Sequence, residues 1–107
     1  MEPDPELCFE VRTPLGFWVR VTRARWRLIT TVKHPVMEGR EDAVQATLAR
    51  PEQIRRSRSD PQVLLFYRGE SPKRWVCAVA KRDSDQGFLI TAYPTDAVKE
   101  GTPIWPK

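Results

Sequence analysis

The sequence predicts one α+β domain with an N-terminal β-hairpin, two to three helical segments and an antiparallel β-sheet. Three patterns support this class: apolar residues alternate with polar ones near the start, recur at helical spacing in the middle, and form three runs separated by short polar loops later. The 107 residues leave room for one modest core, and 40% hydrophobic with 30% charged residues is typical of a soluble globular domain.

The hairpin is predicted over residues 9–21, because apolar residues occupy alternate positions on both sides of a Pro- and Gly-containing turn at 13–16. A helix is expected over residues 23–33, capped by Thr22 and ended by the proline that follows His34. A second helical segment is expected over residues 41–50.

The remaining elements are predicted from residue 51 onward. Pro51 opens a short helical turn at 51–54, and strands follow at 63–68, 74–81 and 87–94. Their short loops imply antiparallel neighbours. Residues 95–101 begin with a threonine and end with a glycine, which predicts one more helical turn. We therefore expect a disordered acidic N-terminus at 1–7 and a single domain at 8–107.

Charge and cysteine content narrow the classes of partner. A formal net charge of +4 favours a polyanionic partner, since a positive field attracts phosphates without specific contacts. The two cysteines, Cys8 and Cys77, lack zinc-ligand spacing, so no metal site is expected. The acidic, proline-broken start resembles no targeting peptide, and no apolar run approaches membrane-spanning length. We therefore expect a cytoplasmic protein with no membrane partner.

The most informative stretch is residues 54–61, in which Arg55, Arg56 and Arg58 lie where a helical pattern gives way to a strand. Guanidinium groups bind phosphate through paired donors, and Ser57 adds a neutral donor, so the stretch predicts a phosphate-binding corner. A solvated basic turn, in which Asp60 neutralises one arginine, fits the same residues.

Polar groups elsewhere could complete a site. Lys81, Thr91 and Tyr93 fall on strand faces that converge if the registers coincide, although each also fits an ordinary sheet. His34 is the one histidine and suits general acid or base chemistry. A histidine at a helix end can instead bond the last carbonyl groups of the helix.

Together these segments resemble a known family. Residues 33–35 (Lys-His-Pro), 54–60, 66–68 and 87–94 are similar, in order and character, to phage-type nuclease-fold domains of the barnase, EndoU, colicin and RelE-like group. The likeness extends from Phe9 to Trp105, with the domain standing alone.

That resemblance implies a RelE- and barnase-like fold, with helices packed on one face of an antiparallel sheet and RNA bound across the other. It further implies a toxin-like endoribonuclease that needs no metal or cofactor and uses the ribose 2′-hydroxyl to attack the adjacent phosphate. The catalytic residues carried over are His34 as acid or base, Arg56 for phosphate, Ser57 as donor and Lys81 as transition-state charge. The substrate-binding residues carried over are Arg55, Arg58, Asp60, Tyr67, Thr91 and Tyr93.

Two alternatives remain open at this point. The chain could be a noncatalytic RNA- or protein-binding module that uses its arginines together with Trp18, Trp75 or Tyr93 as stacking surfaces. It could also be a toxin-like domain whose partner is a protein inhibitor, such as an antitoxin or immunity protein, that covers the basic face.

Overall fold

The computed structural model describes residues 6–107, and β-strands hold more of these residues than helices do. The strands are β1 (Leu7–Arg12), β2 (Trp18–Thr22), β3 (Gln53–Arg56), β4 (Val63–Ser71), β5 (Arg74–Asp83), β6 (Gln86–Thr95) and β7 (Thr102–Trp105). The helices are α1 (Arg23–Leu28) and α2 (Glu41–Ala49), with a π-helical turn at Ile29–Lys33 and a 3₁₀ turn at Pro35–Met37. No helix within this part of the chain is long and apolar enough to cross a membrane.

All seven strands join one mixed sheet in the order β1-β2-β6-β5-β4-β3-β7. The expected fold class, two to three helices packed on an antiparallel sheet, is therefore wrong in its proportions and strand directions. Strands hold 47% of the described residues and helical segments 23%. The pairing of β2 with β6 is parallel, with Arg20 opposite Phe88. Loop lengths do not predict this parallel pairing, because β2 and β6 are far apart in sequence.

The predicted hairpin is confirmed as β1 and β2, which pair antiparallel across the turn that contains Gly16. β1 already begins at Leu7, the last residue of the segment expected to be disordered. Residues 1–5 of that segment lie outside the described residues.

The helix expected over residues 23–33 changes character halfway. Thr22 caps α1 as predicted, because its hydroxyl accepts the Arg25 backbone N–H at 3.1 Å. From Ile29 onward the turn is π-helical. Here the Thr30 and Thr31 hydroxyls donate to the carbonyls of residues 26 and 27, at 3.0 and 2.6 Å. Such side-chain bonds compete for carbonyl groups that an α-helix would use, which favours a looser turn.

Two short segments predicted as helical turns are wrong. Residues 53–56 form strand β3, which pairs with β4 and β7. Residues 96–101 contain no helix and lead into the edge strand β7. A strand of four residues carries little periodicity, and Pro103 is tolerated in β7 because an edge strand needs fewer backbone donors.

The two faces of the sheet are unequally covered. The face toward the helices holds the main core, which includes Phe17, Val19, Val44, Leu48 and Phe66, all 0% exposed. α2 contacts β1 at one side and β4 and β5 at the other, so the sheet curves around it. We call the opposite side the outer face. It carries a second, smaller apolar cluster and no helix within residues 6–107.

We expect Val44→Ala to lower the free energy of unfolding by about 2 kcal/mol, because its side chain is fully buried between α2 and the sheet. The matched control is Val36→Ala, at a position 63% exposed, which should change stability by less than about 0.5 kcal/mol. Urea unfolding of both variants checks this. Equal losses would contradict the packing of α2.

Candidate functional site

The outer face contains a cavity of about 600 Å³ between two loops. Its floor is formed by Val63, Leu65 and Val79, one wall by residues 57–59, and the other wall by residues 99–101. Thr91 and Tyr93 complete the lining. The cavity therefore joins an apolar floor to polar and charged walls, as small-molecule and phosphate-containing ligands require.

Strand register brings the floor together. Leu65 lies opposite Val79, and Val79 lies opposite Thr91, so one residue from each of β4, β5 and β6 forms a row across the sheet. Beyond this row the register shifts, because Ile90 is an extra residue in β6. The bulge returns Leu89 to the core while it keeps Thr91 on the outer face.

His34 lies beside this cavity. Its ring packs against Tyr93, with 5.3 Å between the ring centroids and 37° between the planes. The π-helical turn that ends at Lys33 positions His34. The Lys33 ammonium donates to the Ile90 carbonyl at 3.1 Å and so anchors this turn on β6. Tyr93 thus connects the single histidine to a cavity that Ser57 and Arg58 also line.

Arg55 holds one wall of the cavity in place. Its guanidinium donates to the carbonyls of Glu100 at 2.8 Å and Gly101 at 3.2 Å, and to the Gln53 side chain at 3.0 Å. These bonds use three of the five guanidinium N–H donors and hold the side chain against residues 100 and 101. Arg55, expected to bind substrate, is therefore a positioning residue in this structure.

Gly101 lets the same wall approach β3. Its φ is +80°, and a Cβ there would lie 2.6 Å from the Arg56 carbonyl oxygen. Both features require glycine, since other residues rarely adopt this φ and none could avoid the backbone contact. Gly101, which the sequence predicts as the end of a helical turn, instead allows the chain to pass close to β3 just before β7 begins.

Arg56 and Lys81, both expected in the site, lie outside the cavity. Arg56 lines a separate depression with Leu64 and Ile104, because alternate residues of β3 point to opposite faces. Lys81 is on the outer face, where its ammonium lies 3.5 Å from the Asp60 carboxylate.

Asp60 has a structural role in the β3–β4 loop. Its other oxygen accepts the Gln62 backbone N–H at 3.0 Å. That bond, followed by the charge of Lys81, lowers the pKa of the Asp60 carboxyl below its ordinary value. The loop is a folded turn, in which the Ser57 hydroxyl also lies 3.1 Å from that of Ser59.

Tyr67 is too deeply buried to contact a substrate. It is 2% exposed and packs with Leu65 and Cys77 beneath the outer face, so its predicted binding role is not supported. Burial raises the pKa of the Cys77 thiol to about 11, although hydrogen bonds with Tyr93 and Tyr67 lower it. Burial also raises the pKa of both tyrosines, and their contacts with Cys77 raise it further.

Several hydroxyl groups converge at the cavity. Thr91 Oγ1 is buried and has no hydrogen-bond partner among residues 6–107. An unpaired buried hydroxyl costs about 1–3 kcal/mol, so a ligand that accepts a hydrogen bond from Thr91 would be favoured. Ser57, Ser59 and Thr91 all line the same cavity.

Lys99 and Glu100 were not predicted as site residues from the sequence. Both are exposed and line the cavity. Gly101 and Pro103 could have indicated this wall. Together they disfavour a helix and are compatible with a loop before an edge strand.

Comparison with protein-family models, with curated proteins and with solved structures found no match to this chain.

We expect Arg55→Met to accelerate tryptic cleavage after Lys99, because the guanidinium no longer holds the carbonyls of Glu100 and Gly101. Arg56→Met is the matched control: it removes one neighbouring arginine, and no side-chain hydrogen bond of Arg56 is observed within residues 6–107. Limited proteolysis with mass spectrometry measures the rates. Equal cleavage of the two variants would contradict the role assigned to Arg55.

The chain has two tyrosines, Tyr67 and Tyr93, so ultraviolet tyrosinate absorbance reports on these alone. In the folded protein their ionisation should occur well above the ordinary pKa of 10.0, since burial favours the neutral hydroxyl. In urea both should titrate near 10.0. Tyrosinate formation near that value without unfolding would contradict the burial of the cluster.

The same pKa shifts make stability depend on pH. Cys77 has a folded-state pKa of about 11 against an ordinary 9.0, so its neutral form is favoured by folding. Its contribution is fully present below pH 9.0 and is lost as the pH rises towards 11. Urea unfolding across this window should therefore show falling stability, less steeply in Cys77→Ala.

Proposed function

We propose that the protein is an endoribonuclease that cleaves RNA in the outer-face cavity, by attack of a ribose 2′-hydroxyl on the adjacent phosphate without a metal ion. The observation that carries this proposal is the contact of His34 with Tyr93 at a cavity lined by Arg58 and Glu100. A potential proton carrier, a carboxylate and a phosphate-binding cation are thereby brought to one surface from distant parts of the chain.

The proposed reaction needs one group to accept a proton and another to donate one. The Glu100 carboxylate accepts the proton of the 2′-hydroxyl as its oxygen bonds to phosphorus. The His34 imidazolium donates a proton to the 5′-oxygen as the bond between that oxygen and phosphorus breaks. The products are a 2′,3′-cyclic phosphate and a free 5′-hydroxyl, and a proton returns from Glu100 to His34 through solvent.

The remaining cavity residues suit the charge that develops in this step. Negative charge accumulates on the non-bridging oxygens in the transition state, and Arg58 and Lys99 line the cavity that would receive them. The hydroxyls of Ser57 and Thr91 add donors without charge. Tyr93 orients the imidazole by ring contact. Arg56 and Lys81 lie outside the cavity, so they receive no role in this step.

The test is incubation of defined single-stranded RNA with purified protein in the presence of a metal chelator. We expect fragments with cyclic phosphate ends, and a loss of about 100-fold or more in rate for His34→Ala and for Glu100→Gln. Glu38→Gln is the matched control, because Glu38 lines a different cavity, beside α1 and α2. All variants must retain the wild-type unfolding midpoint.

Two outcomes would overturn the proposal. Activity that disappears in chelator would contradict metal-independent chemistry. RNA that the protein binds but does not cleave would favour the noncatalytic binding module. The net positive charge of the chain supports that alternative. Binding of a protein inhibitor stays a prediction from sequence.

A further inference from the structure

A second feature of the outer face lies outside the cavity, on strands β2 and β6. Trp18 is 43% exposed and Phe88 is 44% exposed, although both belong to regular strands. The residues that alternate with them, Val19 and Leu89, are fully buried in the main core. The two aromatic side chains therefore project from the same, uncovered face of the sheet.

The two rings are neighbours across the parallel pair. Arg20 lies opposite Phe88, and Trp18 lies opposite Gln86, so Trp18 and Phe88 are diagonal partners on adjacent strands. Strand spacing and rise give roughly 8 Å between their Cα atoms. Two flat, exposed rings at this separation form a small apolar platform, which we call the Trp18–Phe88 platform.

Basic side chains surround the platform. Arg12 lies opposite Trp18 on β1, while Arg20 and Lys81 lie opposite Phe88 on its two sides. The Arg25 guanidinium lies over one face of the Phe88 ring, 5.9 Å from the ring centre, so a base would stack on the other face.

Acidic groups neutralise only part of this charge. Glu10 lies 3.8 Å from Arg20, Asp60 lies 3.5 Å from Lys81, and Asp83 lies opposite Gln86 at the far end. Among residues 6–107, Arg12 and Arg25 have no carboxylate within 4.0 Å. Two arginines thus remain for an anionic ligand, Arg12 opposite Trp18 and Arg25 over the Phe88 ring.

We propose that the Trp18–Phe88 platform binds single-stranded RNA, with bases stacked on Trp18 and Phe88 and phosphates held by Arg12 and Arg25. Exposed rings bind bases through their faces, and arginines between them bind the backbone, which is the combination that single-stranded nucleic acid requires. The identification of the strand as RNA rests on the proposed cleavage; the stacking itself does not.

The Trp18–Phe88 platform lies on the same face of the sheet as the cavity. Phe88 and Thr91 belong to the same strand, and the bulge at Ile90 lies between them, so the platform and the cavity share the outer face. A strand stacked on the platform would continue toward the cavity. The platform therefore adds affinity for longer RNA beyond what the cavity alone provides.

The test is binding of a short single-stranded RNA whose 2′-hydroxyls are all O-methylated, so that cleavage by 2′-attack cannot occur. We expect Trp18→Ala and Phe88→Ala each to weaken binding by about 5-fold or more, the loss of one stacking contact. Val32→Ala, at a position 71% exposed on the π-helical turn, is the control and should bind as the unmodified protein does.

Tryptophan fluorescence adds a signature that a merely structural role would not produce. Stacking should quench Trp18 emission, and Trp18→Phe should retain binding while it loses most of the quenching. Arg12→Gln and Arg25→Gln should each reduce the dependence of affinity on salt, because each removes one phosphate contact.

The outcomes separate this proposal from the proposed cleavage. Platform-dependent binding without cleavage of ordinary RNA would retain the platform and reject the nuclease. Cleavage by the unmodified protein, together with unchanged binding by Trp18→Ala and Phe88→Ala, would reject the platform. Self-association that depends on Trp18, without oligonucleotide binding, would assign the surface to a second copy of the chain and would also reject it.

Discussion

The register of the β4-β5-β6 ladder sets which side chains enter the core and which reach the outer face. It aligns Leu65, Val79 and Thr91 on the outer face, while their neighbours along each strand enter the core. A shift of one residue would exchange these two sets and place polar groups such as Thr91 in the core. The core thus selects the register, because only one pairing buries the larger apolar set, and the floor of the cavity follows from that selection.

The edge of the sheet converts this floor into a cavity. β3 and β7 are four-residue strands that contribute little to the core, yet together they bring residues 57–59 and 99–101 to the two sides of the same floor. Arg55 and Gly101 make this possible, one through side-chain bonds to carbonyls and the other through its positive φ and its missing Cβ. An arginine in a basic run therefore stabilises a loop, and Arg58 remains available to a ligand.

The outer face divides into two parts with different physical properties. Around Tyr67, Cys77 and Tyr93 it is buried and neutral, which keeps the tyrosine hydroxyls and the thiol protonated. Around Trp18 and Phe88 it is exposed and bordered by cations. The cavity lies between these parts, so a ligand bound there would contact a rigid apolar support on one side and a positively charged, aromatic surface on the other.

Local sequence patterns predicted the hairpin, the capped start of α1, the second helix and the three long strands, because each has a clear period or capping residue. The sequence also singled out His34, Ser57, Arg58, Thr91 and Tyr93, five residues that lie in or beside one cavity. Tertiary contacts set the parallel β2–β6 pair, the strands β3 and β7, and the exclusion of Arg56, Tyr67 and Lys81 from that cavity. These features depend on contacts between distant segments, and local propensity in a four-residue strand or a basic run is too weak to encode them.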